Sequence, residues 1–180
     1  MKQKITEQLE IPAGISCEAE NNIVKCKKDG KELVKKINVP CLVVSMKDNK
    51  ITLECMEGNK RDFKTIKSHI AHIKNMFLGL QNEYVYKLES CNVHFPTTIK
   101  SDGDRVVISN FLGEKTPRYA KILKGVKVEI SGPKITVTSA DKDSAGQTAA
   151  NLERATKIKN RDRRIFQDGI FLTDRPGGAK

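Results

Sequence analysis

Between Arg154 and Arg164 six cationic side chains crowd into eleven positions, Arg154, Lys157, Lys159, Arg161, Arg163 and Arg164, against a single acid, Asp162. Like charges at this density repel one another, and neutralising phosphates while releasing their condensed counterions relieves the repulsion. Arginine adds a planar fork that can grip a phosphate with two hydrogen bonds or stack on a base. One or two cations would complement the C-terminal dipole of a helix, so six in so short a run read as contacts to RNA phosphates. Smaller basic clusters occur at Lys25-Cys26-Lys27-Lys28, Lys35-Lys36, and Lys115 with Arg118; the last pair joins the candidate contacts.

The residue types that support catalysis do not assemble into a motif. His69 and His72 stand three apart on a helical segment, a spacing that can bring two imidazoles to a metal, but the sequence shows no third ligand. His94, beside Phe95-Pro96, has no matched Cys or Ser nucleophile. The five cysteines, Cys17, Cys26, Cys41, Cys55 and Cys91, are odd in number and none stands at C-x₂-C spacing; they read as small, reduced, buried strand residues. Asp102/Asp104 and Asp141/Asp143 sit in turn-like polar segments. Walker, G-x-G-x-x-G, G-x-S-x-G and H-E-x-x-H patterns are absent from the sequence. The expectation is therefore a protein that is not an enzyme and holds no metal or cofactor.

Charge along the whole chain agrees. Thirty-three Lys and Arg against 22 Asp and Glu give 180 residues a net charge of +11. The excess is +5 over residues 1–80 and +6 over 81–180, so both halves are basic. Folding gains nothing from such an excess, whereas an anionic partner does. Hydrophobic residues are 38% and aromatics 5%, with no Trp, a supply that suits two small cores better than one large one. No apolar run approaches the ~18–20 residues that a membrane span needs, and MKQKITEQLEIP lacks a signal-peptide core. No membrane partner is expected, and the expected location is the cytoplasm.

The elements that must carry these residues are written twice. IPAGI at 11–15 resembles FPTTI at 95–99, Ile23-Val24 matches Val107-Ile108, and Lys50-Ile51-Thr52-Leu53 matches Lys134-Ile135-Thr136-Val137, all at an offset of 84 residues. Each copy predicts short strands, at 15–19 and 23–26 in the first copy and at 106–109 in the second. Gly turns follow at Asp29-Gly30 or Gly113, and then a hairpin, 42–46 with 51–55 or 126–130 with 135–139. Periodicity then changes from 2 to 3.6. Phe63, Ile66, Ile70, Ile73 and Phe77 form one apolar stripe, and a second helix spans about 145–159 with Ala149, Leu152 and Ala155 inward. A further strand is expected at 83–91. Gly79 and Gly169 are matched as the ends of the two copies, which makes the second about six residues longer. The fold class is α+β: two tandem copies of a small module, each an antiparallel sheet with one packed helix. The first spans 1–80; the second spans 81–180 and carries the basic segment and the tail from Arg175 to Lys180, which has nothing to bury.

Three strings carry a resemblance over nearly the whole chain: KIKNRDRRIFQDGI at 157–170, NFLGEK at 110–115, and QTAAN at 147–151. With them the chain resembles the universal large-subunit ribosomal protein six family, and Arg161, Arg163 and Arg164 favour its archaeal form. The resemblance implies two tandem α+β modules and binding to large-subunit rRNA near the sarcin–ricin region, where translation factors dock. It further implies neighbouring ribosomal proteins as partners, and a second module that makes much of the RNA contact. It assigns Lys157, Lys159, Arg161, Arg163 and Arg164 to phosphates, and Gln167, Asp168 and Gly169 to shaping the return into a final strand. The competing expectation is an RNA-binding or RNA-modifying factor that works off the ribosome.

Overall fold

The computed structural model describes residues 3–177 except 21, 38, 40, 41, 48 and 163. It divides into two compact units, the first ending at Asn82 and the second running Glu83–Gly177. Among the described residues the secondary structure is thirteen strands and two α-helices, an α+β protein in which every strand pairing is antiparallel. Arg163, Cys41 and the last three residues of the tail lie outside the described residues.

In the first unit β1 (Gln3–Glu10), β6 (Lys50–Gly58) and β5 (Leu42–Lys47) form one sheet in the order β1-β6-β5. A second sheet has the order β2-β3-β4, from β2 (Ser16–Glu20), β3 (Ile23–Lys28) and β4 (Lys31–Lys36). Alternation fixes the register: Ile51, Leu53 and Cys55 are fully buried while Thr52 and Glu54 between them are not. β1 and β4 escape the hydrophobic pattern because each is an edge strand rich in charge; β4, KELVKK, sends only Leu33 into the core cluster. Asp29 and Gly30, with φ of 49° and 79°, make the two-residue turn that joins β4 to β3.

The helix α1 (Lys60–Gln81) begins at a capping box. Asn59 Oδ1 accepts the Arg61 and Asp62 N–H at 2.8 and 3.0 Å, and Asp62 Oδ2 accepts the Asn59 N–H at 2.9 Å. Its buried face is Ile66, Ile70, Ile73, Met76, Phe77 and Leu80. Phe63 departs from the predicted stripe. It is 43% exposed in the first turn, where it edges an open groove with Ile5 and Gly58 and lies 5.4 Å from the Lys67 ammonium.

The second unit repeats this plan with additions. Its larger sheet has the order β11-β12-β7-β13, from β7 (Tyr84–Cys91), β11 (Lys127–Ser131), β12 (Lys134–Ser139) and β13 (Gly169–Asp174). The smaller has the order β10-β9-β8, from β8 (Thr98–Asp102), β9 (Arg105–Ser109) and β10 (Arg118–Lys121). β7, the strand expected at 83–91, is an inner strand of this sheet. Its Leu88 faces Ile135 as Leu9 faces Ile51 in the first unit.

The helix α2 (Lys142–Ala155) starts at Asp141, whose carboxylate accepts the Asp143 and Ser144 N–H, and buries Ala145, Thr148, Ala149 and Leu152. It stops four residues short of the predicted end. Thr156, 3% exposed, donates its hydroxyl to the Glu153 carbonyl and accepts the Ile170 N–H at 2.9 Å, so the chain is held where it leaves the helix. Gly79 and Gly169 are not equivalent: Gly79 is buried inside α1, and Gly169 opens β13 with φ of 156°. The second unit instead trades the last turns of the helix for a loop, 156–168, and a fourth strand.

Cys17, Cys26 and Cys55 are buried as expected, but Cys91 ends β7 exposed. Leu152 is fully buried among Ala149, Val137 and Ile170. Leu152→Ala should cost about 2–5 kcal/mol, read from urea denaturation of a fragment spanning 83–177; a loss under ~1 kcal/mol would show that this side chain is not a core contact.

Candidate nucleic-acid interface

The basic segment lies on the loop between α2 and β13, with Arg154 in the last turn of the helix. Arg154, Lys157, Lys159, Arg161 and Arg164 are all exposed. None of these five forms an ion pair with a described residue. The loop's acid, Asp162, does not neutralise them. Its carboxylate accepts the Arg164 N–H at 2.9 Å and its carbonyl accepts the Phe166 N–H at 2.9 Å, so it shapes a turn. Gln167 donates to the Arg164 carbonyl at 3.2 Å, and Asn160 adopts a left-handed φ of 57°. The backbone is thus tied by its own polar groups while the cations project outward.

Two anchors hold the ends of the loop. At its start Arg118, on β10, donates to the Ala155 and Lys157 carbonyls at 2.9 and 3.3 Å, satisfying acceptors that the helix end leaves open. The same guanidinium grips Glu114 through both carboxylate oxygens at 2.5 and 2.7 Å and lies 4.4 Å from the centre of the Phe111 ring. Hydrogen bonding from Arg118 holds the Glu114 carboxyl below its usual range. Arg118 is therefore engaged within the protein, whereas Lys115 is exposed. The NFLGEK string is the platform for this fork: Asn110, Leu112 and Gly113 take φ of 59°, 50° and 78°, and Asn110 donates to the Pro96 carbonyl at 2.9 Å.

At the other end Asp168 is 2% exposed and accepts three hydrogen bonds, from Val93 N–H at 3.1 Å, His94 N–H at 3.2 Å and His94 Nδ1 at 2.9 Å. Burial pushes this carboxyl up, but the bonds from the His94 ring and from the two backbone N–H groups, with electrostatic attraction to His94, outweigh it; the net shift is downward. Next to it the His94 ring stacks on Phe166, centroids 4.8 Å apart at 23°, and the Arg161 guanidinium lies 4.7 Å from the centre of the Phe166 ring. Gly169 follows because a Cβ there would meet the Phe171 ring at 3.1 Å. A groove of about 710 Å³ runs beside the loop, with Arg154 and Lys157 at its edge and Ile158, Phe166 and Phe171 in its walls.

The structure thus gathers Arg154, Lys157, Lys159, Arg161, Arg164, Gln167, Asp168 and Gly169 on one segment. Sequence reasoning missed His94 and Phe166. No spacing rule joins residues 74 positions apart. His69 and His72 remain on α1, their rings 6.4 Å apart, and no group of three or more metal-ligating side chains occurs among the described residues.

Comparison with known proteins covers this same region. The family model for ribosomal protein L6 matches residues 95–169, from Phe95 through the loop to Gly169. The large ribosomal subunit protein uL6 of Methanococcus vannielii is 39% identical over 96% of this chain and 95% of its own length. That of Methanobrevibacter smithii is 42% identical over 93% and 94%. The chain belongs to the ribosomal protein L6 family. Both of these relatives are archaeal, in keeping with the arginines of the loop, and as a member of the L6 family the chain is a structural protein with no enzymatic role.

Because the folded pKa of Asp168 lies below the unfolded one, its contribution to stability is fully present above about pH 4 and is lost as pH falls through the lower folded value. Asp168→Asn should lower stability at pH 7 by about 1–3 kcal/mol and reduce the loss of stability between pH 5 and 2. Denaturation of both proteins across that range checks it; parallel pH profiles would refute the assignment.

Proposed function

We propose that this chain is a structural constituent of the large ribosomal subunit that holds large-subunit rRNA through the loop of its second unit. The observation that carries the reading is the density of unpaired charge: Arg154, Lys157, Lys159, Arg161 and Arg164 stand exposed within eleven positions, none ion-paired with a described residue, at the end of α2 and on a loop backbone that is itself hydrogen-bonded. An RNA backbone supplies the missing anions, and folded RNA is recognised mainly by shape and phosphate contacts.

Arg154, Lys157, Lys159, Arg161 and Arg164, with Arg163 from outside the described residues and Lys115 nearby, are the contacts in this reading. Arg118, Gln167, Asp168 and Gly169 keep the loop in place. The division into modules at 1–80 and 81–180 makes each a separate folding unit. Family membership supports a site on the subunit near the sarcin–ricin region, among neighbouring ribosomal proteins and close to where translation factors bind, on ribosomes in the cytoplasm.

Binding to a large-subunit rRNA transcript should weaken steeply with salt. Replacing Arg161, Arg163 and Arg164 with Ala should flatten the log–log slope by about 2–3, since each phosphate contact contributes roughly 0.7–0.9. A slope equal to that of the parent chain would count against the loop as the RNA contact.

A further inference from the structure

His94 lies far from the basic run in sequence, yet its ring is built into the base of the loop. The Nδ1 bond to buried Asp168 fixes the rotation of the imidazole, and the ring in turn lies against Phe166, on which Arg161 rests. Neither His94 nor Phe166 belongs to the hydrophobic core cluster of this unit, and the His94 side chain is 30% exposed. The imidazole bond adds to those from the Val93 and His94 backbone N–H groups, so the ring both helps satisfy the buried carboxylate and presents its face to Phe166.

We propose that His94 is a positioning residue for the RNA contact: through the Phe166 ring it orients the Arg161 guanidinium before RNA arrives. This rests on the RNA-binding reading of the loop. A mobile arginine gives up rotamer freedom when it grips a phosphate, and one already laid on an aromatic ring gives up less. No carboxylate among the described residues pairs with Arg161, so its fork stays open to a phosphate while its face is held.

The test is a double-mutant cycle on the full chain, with an in vitro large-subunit rRNA transcript as probe and affinity measured across salt concentrations. H94A should weaken binding at every salt concentration with the slope nearly unchanged, since the Arg161 contact to phosphate is still made, and it should cost nothing further when R161A is already present. H94F, which keeps a ring to stack on Phe166, should retain most of the affinity. A cost for H94A that is the same with and without Arg161 would overturn the proposal, as would an H94A protein that binds like the parent while R161A flattens the slope. If circular dichroism shows H94A to be unfolded, the same cycle run with Phe166→Leu decides on the same criteria. An R161A slope equal to that of the parent would overturn the assignment of Arg161 itself, a result distinct from failure of His94 alone.

Discussion

A carboxylate withdrawn from water must find hydrogen-bond donors, and Asp168 finds them on the segment that follows β7. That requirement ties the end of a long loop to a place 74 residues earlier in the chain and so fixes where the loop returns to the sheet. Arg118 performs the matching task at the start, where a guanidinium caps carbonyls left open by α2. Between the two anchors the loop can carry four described cations close together, because its conformation does not depend on their attraction to any acid of its own.

The two units show how one module can serve two purposes. In the first, α1 runs 22 residues with Lys60, Lys64 and Lys74 on its outer side, and it closes the core without a loop beyond it. In the second, α2 ends after 14 residues, the chain emerges as the basic loop, and β13 then adds a strand beside β7. That extra strand offsets the shorter helix: Ile170 enters the core, and the Leu172 N–H is received by Glu153 of α2 at 3.0 Å.

Much of this was legible because physical periods leave marks in sequence. The hairpins, the helix stripe from Ile66 to Phe77 and the repeat offset followed from alternation, 3.6-residue spacing and matched strings. The edge strands β1 and β4 did not, since an edge exposed on one side can be nearly all polar. Phe63 misled because periodicity reports a helical face but not where the sheet beneath it ends. The end of α2 misled because Lys157, Ile158 and Lys159 are acceptable helix residues, and the buried bond from Ile170 to Thr156 that ends the helix is a tertiary contact. For the same reason the cationic loop was visible as charge, whereas the His94–Phe166–Arg161 stack beneath it was not.

The most direct measurement is a cryo-electron-microscopy structure of large ribosomal subunits assembled with this chain. The account predicts the Arg161 and Arg164 guanidinium groups at about 2.7–3.2 Å from rRNA phosphate oxygens, with the bond between His94 and Asp168 intact beneath them. A structure in which these arginines face solvent, with the rRNA contacting the protein elsewhere, would contradict it.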